Sequence, residues 1–168
     1  MRVLKTAALA IALWAPMSAF AGAWDLRLDG MGPLAIGMPF DSANARVNGV
    51  LKRTEAGLLA SADCDIVELA GHPGVALMFR DDLLVRIDVS QPGPRTDTGV
   101  AVGDPVMRVR EAYPRLKSSQ HAYGDSEQYL TALSGDGRLA VRFETYNGNI
   151  STFYAGRFEA VQFIEGCL

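Results

Sequence analysis

The apolar positions of this chain change period several times, and each change marks an element. Trp24-Asp25-Leu26-Arg27-Leu28 alternates apolar and polar residues, the two-residue period of an edge strand. Phe40, Ala43 and Val47 then fall at i, i+3 and i+7, one stripe of an amphipathic helix that Pro39 opens and Gly49 stops. Strand signals follow over residues 64–69, 75–80 and 83–89, with Gly71-His72-Pro73-Gly74 as one turn and Asp81-Asp82 as a hairpin turn. Val75, Leu77 and Phe79 share a face, as do Leu83, Val85, Ile87 and Val89. Met78, Arg80, Arg86 and Asp88 make the opposite face mixed, to meet solvent or a partner.

After Gln91-Pro92-Gly93-Pro94 the same order returns. Val106, Val109 and Tyr113 repeat the helical stripe between Pro105 and Pro114, with Asp104 as the candidate N-cap. Strand signals cover 129–133, 139–145, 150–154 and 160–165, with turn sequences at Gly135-Asp136-Gly137 and Asn147-Gly148. Leu139, Val141 and Phe143 point one way, Arg142 and Glu144 the other. The halves open on nearly the same words, Ala35-Ile36-Gly37-Met38-Pro39 and Ala101-Val102-Gly103-Asp104-Pro105, 66 residues apart. The pattern predicts an α+β fold of two tandem repeats, each a short helix packed on a small antiparallel sheet. Repeat one runs over 22–90, a linker over 91–99 and repeat two over 100–168.

The first 21 residues stand outside that scheme. Arg2 and Lys5 precede an apolar run over 6–14, Pro16 breaks it, and Ala19-Phe20-Ala21 supplies the small-x-small cleavage pattern. The run is shorter than the roughly 20 residues a bilayer span needs. A signal peptide cleaved near Ala21 and a periplasmic or secreted product are therefore expected. No cysteine adjoins the cleavage site, so no lipid anchor is expected.

Charge and cysteine usage narrow the partners. Removing Arg2 and Lys5 leaves 14 basic residues against 19 acidic ones, a net charge of −5. No Lys/Arg cluster is present, which argues against nucleic acid or an anionic membrane surface as partner. The chain has two cysteines, Cys64 and Cys167, and in an exported protein such a pair reads as one disulfide. It would tie the C-terminus to repeat one.

The phrase Ile36-Gly37-Met38-Pro39-Phe40-Asp41-Ser42-Ala43 resembles the repeat entry of the β-lactamase-inhibitor-protein family and of small outer-membrane-assembly lipoproteins of the BamE/SmpA type. That resemblance implies a helix on a small antiparallel sheet and work by protein contact. Three departures stand out. Pro39 and Pro105 replace the usual Thr or Ser, each repeat has one cysteine instead of a local pair, and the lipoprotein's anchoring cysteine is missing.

Candidate chemistry is sparse. His72 lies in a Pro-Gly turn and His121 in a polar loop, neither at metal-ligand spacing. Ser126 lacks the second glycine of a nucleophile elbow. Asp63 and Asp65 alternate along a strand, which places two carboxylates on one face. No catalytic residues, metal or cofactor are expected. Arg86, Arg142, Tyr146, Phe153 and Arg157 form the candidate binding set, because aromatic residues and arginine dominate binding hot spots. The reading is a periplasmic protein-binding module of inhibitor, immunity or envelope-assembly type, acting through the polar face of its sheet and not as an enzyme. Its alternative is a small hydrolase or carbohydrate-binding protein built on the loop carboxylates Asp63, Asp65 and Asp125.

Overall fold

A computed structural model describes residues 24–55, 59 and 61–167, so the signal peptide read over 1–21 lies outside the described residues. Three two-residue strands, β1 (Leu26–Arg27), β2 (Gly30–Met31) and β3 (Leu34–Ala35), form a small meander. Helix α1 (Phe40–Arg46) follows, then β4 (Cys64–Glu68), β5 (Val75–Arg80) and β6 (Leu83–Val89). Helix α2 (Val106–Ala112) leads to β7 (Lys117–His121), β8 (Gly124–Leu133), β9 (Leu139–Tyr146) and β10 (Asn149–Arg157). A short 3₁₀ turn, Ala160–Gln162, comes near the end.

The expected pair of helix-on-sheet repeats is not what the chain builds. It is mostly sheet, and the seven strands β4 to β10 make one antiparallel sheet in the order β4-β5-β6-β10-β9-β8-β7. The reason lies at the join. β6 pairs with β10, setting Val89 opposite Phe153 and Ile87 opposite Ala155, so the halves share a ladder instead of ending in separate edges. Each helix has seven residues, about 10 Å of length, too little to cover a sheet alone.

The two matching motifs do the same mechanical job. Gly37 and Gly103 both sit at φ +91°, a left-handed conformation that favours glycine. Their N–H groups donate to Leu84 O at 2.7 Å and Ile150 O at 2.8 Å, at the starts of β6 and β10. The first helical N–H groups donate onward to hairpin turns, Phe40 to Asp82 O at 2.9 Å and Val106 to Gly148 O at 3.1 Å. Pro39 and Pro105 are the extended N-cap residues, and no side chain caps either helix. A hairpin carbonyl takes the first orphan N–H of each helix, and proline fits at the N-cap because the helix does not need that residue's own N–H. Asp104 is not the N-cap; its Oδ2 accepts the Ala101 N–H at 2.9 Å.

One face of the sheet carries the main core. Phe40, Ala43 and Val47 of the α1 stripe, Val109 of α2, and Leu26, Met31 and Leu34 of the meander pack on Leu77, Phe79, Ile87, Phe143 and Phe153. A bulge between Met78 and Phe79 pairs them with Arg86 and Leu84, skipping Val85. Leu84 therefore joins this core, and Val85 joins the opposite face with Cys64, Met78 and Ala160, contrary to simple alternation. Two other expectations change. The polar stretch around His121 is strand β7 and the first half of β8, and the strand read over 160–165 is the 3₁₀ turn and an irregular tail.

Candidate functional site

The face opposite the helices is where the sequence placed its binding residues, and the chain covers it with its own tail. After β10 the chain turns back, and residues 158–167 lie over this face as a strap. Ala160 packs with Cys64, Met78 and Val85, and Val161 packs with Ala140 and Tyr154. The strap ends at a disulfide between Cys167 and Cys64, Cα atoms 5.6 Å apart, on the first residue of β4.

Strand alternation brings Arg86 and Asp88 of β6, Tyr154 of β10, Arg142 and Glu144 of β9, and Tyr129 and Thr131 of β8 onto one face, with Asp88, Tyr154, Arg142 and Thr131 in a single cross-strand row. Arg86 is 5% exposed. Its Nη1 donates to Ala160 O at 3.0 Å and Phe163 O at 2.8 Å, its Nε donates to Asp88 at 3.0 Å, and its guanidinium lies 4.6 Å over the Tyr154 ring. Arg142 is 7% exposed. It donates to Thr131 Oγ1 at 3.1 Å and to Gln162 of the strap, and lies 4.9 Å over the Tyr129 ring. Both arginines thus fasten the strap.

The network continues through Glu144 in the next row. Tyr154 OH donates to Glu144 Oε1 at 2.9 Å, and His121 Nε2 lies 3.3 Å from Glu144 Oε2. His121 Nδ1 accepts the Tyr123 N–H at 3.2 Å, which puts the ring proton on Nε2, and the ring stacks on Tyr129 at 4.5 Å. Both nitrogens are occupied, so this histidine has no lone pair free for a metal or a substrate proton. Burial, then the Glu144 carboxylate, pushes the Tyr154 phenol well above its ordinary range. Burial also raises Asp88, against the opposing pull of Arg86.

The remaining candidates scatter. Phe153 is fully buried in the main core, and Tyr146 is 64% exposed at the end of β9. Arg157, at the end of β10, is half-buried and lines a cleft of about 530 Å³ with Ile36, Leu139 and Phe158. Asp136 also lines it, held far below the carboxylate range first by the Ser134 hydroxyl and then by the Arg138 N–H and guanidinium. Glu159 completes the rim. His72 stacks on Trp24 at 4.0 Å, and Ser126 is exposed beside Glu127. Asp125 lies 3.5 Å from Gln120 Nε2 on the β7–β8 hairpin. Asp63 and Asp65 do not form a free pair. Asp63 accepts from Ser61 and, at 3.2 Å, from Arg80, while Asp65 is buried under the Thr54 N–H, also at 3.2 Å. Among the described residues no three His, Cys, Asp or Glu side chains converge as a metal site.

The sequence marks Asp88 and Glu144 as cross-strand partners for the arginines, and Asp88 does pair with Arg86. Tyr129, Tyr154 and Gln162 carry no such mark: strand register reveals the two tyrosines, and the fold-back of the tail reveals Gln162. The fold and its strap define a seven-stranded antiparallel sheet covered on both faces. That fold is similar to the crystal structure of the uncharacterized protein YfeY from Escherichia coli, with a TM-score of 0.54 and 16% identity, over 79% of this chain and 99% of that one. No family model matches the chain, and no curated protein matches it.

Proposed function

We propose that the protein is an exported protein-binding module whose contact surface is the Arg157 cleft, displaced from the sheet face that the strap covers. One observation carries this reading. Of the three arginines in the candidate set, only Arg157 makes neither an ion pair nor a side-chain hydrogen bond among the described residues, and it stands half-buried beside the 41%-exposed Phe158. A guanidinium at the edge of an apolar floor of Ile36, Leu139 and Phe158 suits a carboxylate-bearing apolar segment of another protein. Asp136 does not compete for it, because Ser134 and Arg138 already hold that carboxylate. Export is supported by the positive n-region, apolar run and Ala19-Phe20-Ala21, and by a disulfide of the kind that persists outside the cytosol. Among the described residues no helix is long and apolar enough to cross a membrane.

The test is site-specific cross-linking in a Gram-negative envelope. A photoreactive phenylalanine at position 158 should trap a discrete protein adduct, and Arg157→Ala should cut its yield about tenfold, the worth of one charge-assisted contact. Adducts forming from position 146 but not from 158 would move the contact surface to the other end of the sheet.

A further inference from the structure

A second cleft, of about 470 Å³, opens at the end of the sheet where β4, β5 and β6 meet, and four aspartates line it: Asp63, Asp65, Asp81 and Asp82. Two of the four are already paired. Arg53 holds Asp82 while lying 3.8 Å over the Phe40 ring, and Arg80 holds Asp63 at 3.2 Å. Asp65 and Asp81 have no cationic partner among the described residues. Asp81 is exposed on the hairpin turn, whereas Asp65 is 6% exposed. Asp65 Oδ2 takes one backbone N–H, from Thr54, and Oδ1 has no hydrogen-bond partner among the described residues. A buried carboxylate in that state is costly unless a positive group with N–H donors completes it.

We propose that this cleft binds an alkyl cation, the ammonium or guanidinium group of a lysine- or arginine-like ligand. Asp65 Oδ1 accepts an N–H, Asp81 supplies the second negative charge, and the alkyl stem lies along Leu59 on the cleft wall. A hard divalent metal fits poorly, since it takes six or more oxygen ligands and, among the described residues, no three acidic side chains converge to hold one. The site is separate from the Arg157 cleft.

Titration of the intact disulfide-bonded protein, followed by amide chemical shifts, tests this directly. N-acetyl-lysine methylamide and N-acetyl-arginine methylamide are the probes, N-acetyl-norleucine methylamide the uncharged control, and calcium chloride the metal control. The charged probes should shift the amides of Thr54, Asp65 and Asp81, and the larger shift of the two identifies ammonium or guanidinium. Asp65→Asn and Asp81→Asn should each weaken binding about tenfold, the worth of a charge-assisted hydrogen bond, with Arg157→Ala leaving it unchanged. Asp81→Asn lies on an exposed turn and keeps the test open where Asp65→Asn disturbs folding. No response to either charged probe, an equal response to norleucine, tighter binding of calcium, or undiminished binding by Asp81→Asn and a folded Asp65→Asn would overturn the proposal.

Discussion

A guanidinium carries five N–H donors, and Arg86 places four of them on Asp88 and on two strap carbonyls, with its flat face on Tyr154. Gly156 stands opposite Arg86 on β10, and a Cβ there would run into the Val85 carbonyl and the Arg86 backbone. The close approach of the two strands at the bulge thus depends on a missing side chain. Asp88 bears the electrostatic cost, because burial raises its pKa more than Arg86 lowers it. A carboxyl that titrates higher in the folded chain than in the unfolded one favours folding most when protonated. Its contribution therefore falls as pH rises from about 4, the unfolded value, through the raised folded value, and is flat above. Urea unfolding of Asp88→Asn between pH 4 and 7 should show this falling component removed, making stability rise more steeply, or fall less, with pH than in the parent. Identical pH slopes in the two proteins would mean that Asp88 titrates alike folded and unfolded.

Elements with one apolar face were legible and those without were not. β5 and β6 were read to their observed ends, because Val75-Leu77-Phe79 and Ile87-Val89 alternate cleanly between turn residues. β7 escaped because Lys117, Ser118, Ser119 and Gln120 are all exposed; an edge strand with two wet faces leaves no hydrophobic period. Bulges are invisible to period as well, which is why Val85 was placed on the wrong face. The candidate site was half legible. Sequence marked Arg86 and Arg142 as a shared polar face, but not that the tail would consume them, since 160–165 looks like another strand. Arg86, Arg142 through Gln162, Tyr123 through Glu165, and the disulfide all fasten the strap. Replacing Cys64 and Cys167 together with serine should lower stability by about 5 kcal/mol, the chain-entropy value for so long a loop. Hydrogen exchange should then speed up in 158–167 before it does in β9 and β10. A urea midpoint unchanged by the double replacement would show that the non-covalent contacts hold the strap without the disulfide.

At the scale of the molecule, the pairing of β6 with β10 turns two halves with matching helix entries into one sheet. Sequence could show the matching words Gly37-Met38-Pro39 and Gly103-Asp104-Pro105, but not that the strands after them would meet edge to edge. The disulfide adds a property of another kind. It joins residues 103 apart, and the ring it closes contains all seven strands of the large sheet and α2, leaving the meander and α1 outside. Mechanical tension applied at residues 24 and 167 therefore passes from Cys167 directly into Cys64. Only the segment before Cys64, about 40 residues and roughly 14 nm when fully extended, can lengthen. A single-molecule pulling trace should stop near that contour length while oxidised and lengthen several-fold once a thiol reductant is added. The ring makes the sheet a load-shielded body on a short extensible tether.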